Sequence, residues 1–366
     1  MNEMSSLQPP AAPSLAMQRE PFTFTGTARE YFGIWIVNVL LTILTLGVYS
    51  AWAKVRRQRY FYGNTHLAGA TFDYHALPWR ILVGRIIVLV MLVLYNVTLQ
   101  FLPLFGLLVF AIFMFAIPWF IMRGLRFNAR VTSYRNVRFD FTGTYWGAFL
   151  AYIVGGLLIY GSVGLLAPVA SRWMWNYMLG HLRYGGRPIT CDPRLDKLYG
   201  QIWLPAFVLI GGGLVGLAIA AVVLVSAGLP ALDPATASGW SIGVMVITMY
   251  AAMIPLFLVF LLAGLIYRAG VRNVVFNETV IDGRHILASS IGRGRFASIS
   301  ITNLGATILT LGLARPWAAI RMAKYMATVT ALDSTGSLDA YTSALQNEGT
   351  ATGSEFLDVE GFDLGF

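Results

Sequence analysis

The chain has 366 residues, of which 57% are hydrophobic and only 12% charged, with a mean hydropathy of +0.66 and a formal net charge of +9. That composition lies far outside the soluble range. The single cysteine, Cys191, excludes an intramolecular disulfide and a cysteine-based metal cluster, and a basic membrane body points to anionic lipids rather than nucleic acid, for which no motif is present.

In chain order, residues 1–20 are polar, rich in Pro, Ala and Ser, and lack the apolar core of a secretory signal; they read as a disordered lead-in. Residues 21–332 read as a repeated transmembrane domain, and 333–366 as an acidic tail. The first apolar segment, 32–53, carries Asn38, Thr42 and Thr45 on one helical face and breaks at Leu44-Thr45-Leu46-Gly47. It ends on Trp52, followed by Arg56 and Arg59. A short strand follows over 65–74, then two clear apolar runs over 81–102 and 104–122, separated by Pro103, with Arg85 near the start of the first. Trp119, Arg123 and Arg126 repeat the spacing of Trp52, Arg56 and Arg59, and a second strand-like segment follows over 132–141. A polar-spotted segment over 145–167 carries the break at Gly164. Two long apolar runs, 202–227 and 242–267, flank a loop without Lys or Arg. A third hairpin signal, Asp282-Gly283, precedes the segment 299–319, where Asn303, Thr307, Thr310 and Gly312 lead to Trp317, Arg321 and Lys324.

The predicted fold is therefore an all-α polytopic membrane protein with internal repeats and small cytoplasmic β-hairpins. It has four clear spans, and three further segments (32–53, 145–167, 299–319) that either span or re-enter. The positive-inside rule favours re-entry: the basic stretches follow every apolar segment except at Pro103 and the loop after residue 226, so these two face outside and the rest face the cytoplasm. Seven plain crossings would put some basic loops on the wrong side, although a helix from residue 30 to 47 would already be about 27 Å long, near a full span. The strand-like segments are expected to pair with one another, because an isolated hairpin is marginal.

The block from Asn38 to Tyr60, with Phe24-Thr25-Gly26, Gly124-Leu125-Arg126, Asn136-Val137-Arg138-Phe139 and Gly361-Phe362-Asp363, resembles the YjgN-like family of bacterial inner-membrane proteins. The resemblance runs from about residue 22 to the end of the chain. It implies a multi-pass inner-membrane protein and brings no reaction, substrate or catalytic residue with it.

The stripes Asn38/Thr42/Thr45 and Asn303/Thr307/Thr310 can line a permeation path, or simply hold helices together by hydrogen bonds. Arg56, Arg59, Arg123, Arg126, Arg321 and Lys324 can hold anionic lipid headgroups or solutes, or serve only to fix topology. Trp52, Trp119 and Trp317 read as interfacial anchors. No motif marks a catalytic, cofactor or metal site, so an enzyme is the least favoured class. Transport of a small or anionic solute or lipid leads, with a membrane scaffold or envelope regulator as the alternative. Membrane lipids are the expected partners; a homo-oligomer, and docking of the acidic tail on the protein's own basic face, are left open.

Overall fold

The computed structural model describes residues 17–226 and 239–346. The N-terminal lead-in before Met17, the loop after Ser226 and the acidic tail from residue 347 onward lie outside the described residues.

Five helical hairpins alternate with short antiparallel strands. Strands β1 (Met17–Pro21) and β2 (Thr23–Phe24) lead into α1 (Ala28–Leu44) and α2 (Ser50–Gly63). Strands β3 (Thr65–Leu67) and β4 (Ala70–Tyr74) precede α3 (Pro78–Phe101) and α4 (Pro103–Arg130). After β5 (Thr132–Tyr134) and β6 (Val137–Phe141) the outgoing arm is α5 (Tyr145–Ala148), a π-helical stretch (Phe149–Val154) and α6 (Gly155–Gly161), and the returning arm is α7 (Ala167–Gly180). Strands β7 (Leu182–Tyr184) and β8 (Arg187–Cys191) precede α8 (Leu195–Tyr199), α9 (Trp203–Ser226) and α10 (Gly239–Asn277). The last unit is β9 (Thr279–Ile281), β10 (His285–Ser289), α11 (Arg293–Leu309), α12 (Arg315–Thr328) and β11 (Thr330–Thr335). A final helix, α13, covers 338–346.

The strands form one 11-stranded antiparallel sheet in the order β1-β11-β10-β9-β8-β7-β6-β5-β4-β3-β2. Its two edges, β1 and β2, are separated in the chain by Phe22 alone, whose N–H donates to the Thr330 carbonyl at 3.1 Å. The sheet is thus a nearly closed barrel, and this corrects the expected all-α class with small hairpins. The physical reason is that three-residue strands cannot stand as isolated hairpins. Each hairpin instead pairs with the hairpins before and after it, and closing the ring leaves almost no edge unpaired. Turn chemistry sets the register: Ala68/Gly69, Arg135/Asn136, Gly185/Gly186 and Asp282/Gly283 all have positive φ at both positions, the two-residue turn that suits twisted strands.

Period-two alternation fills the barrel. Val137 and Phe139 face inward while Arg138 is exposed, and Leu67, Tyr134, Tyr184 and Leu332 from four other strands join them in one core. Helix α13 closes one end with Leu338, Tyr341 and Leu345, three residues of a single helical face. Arg135 pairs with Asp339 and the Gln346 amide donates to the Arg135 carbonyl at 2.6 Å, so this first part of the acidic segment is tied to a β-turn. The Tyr134 hydroxyl donates to the Leu67 carbonyl at 2.7 Å and the Tyr184 hydroxyl to the Tyr134 carbonyl at 3.0 Å. Burial pushes Tyr341 up to about 12 and raises Tyr184 as well, so the barrel interior stays uncharged.

Around the barrel the helices pack in chain order, and α12 against α1 closes the circle. Among the described residues four helices are long and apolar enough to cross a membrane, in the two hairpins α3/α4 and α9/α10. The segments 32–53, 145–167 and 299–319 instead turn back. Leu46/Gly47, Val163/Gly164 and Leu311/Gly312 adopt left-handed backbone, and each Gly N–H donates to a carbonyl five residues earlier at 2.7 Å. Both arms of each short hairpin join strands of the same barrel. The tips carry Leu46, Val163 and Leu311, each at least 94% exposed, which are apolar side chains with no protein to cover them.

Candidate functional site

The helices leave the barrel through a collar of basic residues. Arg59 on α2 donates from Nε to the Tyr74 carbonyl at 3.2 Å, and Arg126 on α4 makes the same bond to the Phe141 carbonyl at 3.2 Å. Arg126 also reaches the Gly143 carbonyl at 3.2 Å. These two arginines tie returning helices to the last carbonyls of β4 and β6. A tyrosine does the equivalent job in the three short hairpins: Tyr60 pairs with Thr27, Tyr177 with Thr144 and Tyr325 with Gly292. The repeated Gly26 and Gly143 have a steric cause, since an added Cβ would lie 2.7 Å from the Phe24 ring and 2.4 Å from the Phe141 ring.

The polar stripes sit between the arms of their own hairpins. Asn38 is buried and its Oδ1 accepts from Arg56 at 3.4 Å; Asn303 is buried, accepts from Arg321 at 3.1 Å and donates to the Ala318 carbonyl at 3.0 Å. Thr42 and Thr307 bond the Asn38 and Asn303 carbonyls of the preceding turn. Thr45 and Thr310 accept from the Tyr49 and Ala314 N–H groups at 2.9 Å, bracing the turn at each tip. The structure therefore joins each Asn to the Arg of its own module and does not bring the two stripes onto one surface. Arg123 and Arg321 lie over the faces of Trp119 and Trp317, at 5.5 and 5.2 Å, while Trp52 stacks on Tyr49 and Lys324 is exposed.

A groove of about 460 Å³ between α2 and α3 has a composition the motifs did not point to. Lys54 of α2 and Arg85 of α3 line it, and the Arg85 guanidinium also bonds the Ser50 hydroxyl at the start of α2. No carboxylate among the described residues pairs with either cation. Ser50 stands just past the Gly47 tip, so Arg85 marks the depth at which the short hairpin ends. Beyond that depth α3 continues past the short hairpin, and Val88, Leu89 and Leu92 extend the same face. The groove is thus cationic where the short hairpin stops and apolar from there toward the bilayer centre. The sequence showed Arg85 and Lys54 as separate residues; nothing in their spacing announced that a helical tip would bring them together.

A barrel carrying two apolar helical hairpins of spanning length, with basic residues where the helices emerge, defines a polytopic membrane protein with a barrel outside the bilayer. The chain matches the family described as bacterial proteins of unknown function (DUF898) over residues 19–359, and it belongs to that family. It is 36% identical to the inner membrane protein YjgN of Escherichia coli O157:H7 over 138 residues, 36% of this chain and 35% of that protein. It is 51% identical to YjgN of Escherichia coli K12 over 53 residues, 14% of this chain and 13% of the relative. These alignments span about a third of the relatives' length or less. No solved structure matches. The chain is a multi-pass protein of the bacterial inner membrane.

Proposed function

We propose that the protein binds an anionic phospholipid in the groove between α2 and α3 and handles it within one leaflet, as a step in lipid transport or sorting. The observation that carries this reading is the order of polarity along the groove: two cations without a carboxylate partner, then a continuous apolar face. A phospholipid has the same order. Its phosphate oxygens would accept from Arg85 and Lys54, and an acyl chain would lie along Val88, Leu89 and Leu92. Two further features favour a lipid over a water-soluble solute. The barrel interior is packed with aromatic and aliphatic side chains and capped by α13, which leaves no aqueous route through it. The first short hairpin ends beside Arg85, partway along α3, so it walls no path across a bilayer.

The test is the lipid that stays with the purified protein. In nanodiscs of mixed phosphatidylcholine and phosphatidylglycerol, the wild-type chain should retain phosphatidylglycerol preferentially. A Lys54→Gln, Arg85→Gln double variant of equal thermal stability should lose that preference about tenfold, the size expected for one or two charge-assisted bonds. Equal retention by both proteins would sink the reading and leave the scaffold alternative in front.

A further inference from the structure

A second cationic cleft lies on the other side of α3, outside the apolar part of the helices. It is about 270 Å³ in volume and sits where β4 hands over to α3 and α4 hands over to β5. Arg80, on the first turn of α3, Arg130, the last residue of α4, and Arg138, on β6, bring three guanidinium groups to it, with His75 beside them. Local structure holds the frame. The His75 N–H donates to the Val131 carbonyl at 2.7 Å, and the His75 ring shares a hydrogen bond with the Ser133 hydroxyl at 2.8 Å. Leu77 and Phe127 supply apolar walls. Arg80 lies near the face of Trp79, whose side chain is 55% exposed, a placement typical of the membrane–water boundary.

The charge balance of the cleft is specific. None of its lining residues is acidic. Asp140, on β6 and outside that lining, accepts from Arg130 Nε at 3.1 Å, which compensates one guanidinium. Arg80 and Arg138 have no carboxylate partner among the described residues. The residual charge is therefore that of two guanidinium groups, both lining the same cleft. Alternation in β6 explains how this arises: Arg138 and Asp140 share the outer face of the barrel while Val137 and Phe139 fill its interior.

We propose that this cleft is a binding site for a phosphate monoester, the group that carries close to two negative charges near neutral pH. A carboxylate or a phosphodiester would leave one guanidinium uncompensated. A planar guanidinium also bonds two phosphate oxygens at once, which an ammonium does not. Leu77 and Phe127 would contact the carbon that bears the ester. Two sources have this chemistry: the headgroup of a phosphatidic-acid-type lipid at the bilayer surface, and a soluble phosphomonoester arriving from the aqueous side. The site is separate from the α2/α3 groove. Arg80 and Arg85 face different neighbours from the same helix, and one site can fail without the other.

The experiment uses the full chain in phosphatidylcholine nanodiscs. Glycerol phosphate is titrated calorimetrically, and in parallel nanodiscs are doped with equal phosphatidic acid or phosphatidylglycerol and the retained lipid is quantified by mass spectrometry. The expected result is about tenfold preference for phosphatidic acid over phosphatidylglycerol at 0.15 M salt, lost in an Arg80→Gln, Arg138→Gln variant and kept in the Lys54→Gln, Arg85→Gln variant. Asp140→Asn removes a negative charge paired with Arg130 beside the cleft and should strengthen binding, an effect that misfolding does not produce. Calorimetric binding of glycerol phosphate with the same arginine dependence assigns the soluble ester as a source; retention of the lipid alone assigns the headgroup. Absence of both, or binding indifferent to all three of these residues, overturns the proposal.

Discussion

At the scale of single residues, His285 shows how the barrel core constrains its polar members. The ring is 2% exposed and its Nδ1 accepts from the Thr335 N–H at 3.3 Å, which requires that nitrogen to be unprotonated. On its other side the ring packs edge-on against Tyr341 of α13, with centroids 4.7 Å apart. Burial lowers its pKa below the ordinary value, with Asp282 opposing and Arg284 reinforcing the shift. The folded chain therefore binds fewer protons than the unfolded chain once pH falls below about 6.5, and stability should decrease through that window. Thermal melting in detergent between pH 7.5 and 5 should show a falling midpoint for the wild type and a flatter profile for His285→Phe. Parallel profiles would mean that His285 takes up its proton in the folded barrel. Nothing in the sequence singles out His285 among the four histidines; its burial depends on α13, which contacts it across the barrel end. Asn38 and Asn303 were legible as a matched pair from the repeat, but the partner of each, Arg56 and Arg321, needed the turn that folds α2 onto α1 and α12 onto α11.

At the scale of elements, the turns and the strand pairs over 65–74 and 132–141 were readable in the chain, while β1, β2, β7, β8 and β11 were not. Gly47, Gly164 and Gly312 punctuate apolar segments in identical context, and all three take the left-handed conformation that ends a helix. Gly69, Asn136 and Gly283 likewise announce β-turns. The strands they join are three to five residues long, so the repeat spacing rather than periodicity marks them. Strand β1 begins at Met17, inside a segment whose polar composition reads as lead-in; it is a strand only because β11 offers it an edge. The same distinction governs the short hairpins. Their apolar arms look long enough to cross, but the Ser50–Arg85 bond fixes the first tip at the second turn of α3. From Arg85 to Leu102, α3 runs on for roughly 25 Å. Spin labels at Leu46→Cys and Leu102→Cys should therefore differ in bilayer depth by about 25 Å, with Leu46→Cys and Leu311→Cys at one level near the headgroups. A Leu46 label in the opposite leaflet would restore plain crossings.

At the scale of the whole molecule, the barrel decides the topology that charge counting could only favour. Every helical hairpin starts and finishes on barrel strands, so all of the β-turns and both ends of each short hairpin lie on one side of the bilayer. This makes the number of crossings in each of the five hairpins even, whatever the apolarity of a given segment. It also explains why basic residues follow every returning helix: each returns to the same compartment, where positive charge is retained. Sequence alone could not enforce that parity, because the contacts that impose it join residues as distant as Met17 and Thr335. In a Cys191→Ser background, single cysteines at Pro188 in β8 and Ser337 beside α13 should label with a membrane-impermeant maleimide only after the cytoplasmic side is opened. A cysteine at Leu102, in the turn of the α3/α4 hairpin, should label in intact cells. Labelling of Pro188→Cys from outside while Ser337→Cys stays protected would break the parity, because it would place part of a continuous hydrogen-bonded ring on each side of a hydrocarbon layer that no open strand edge can cross.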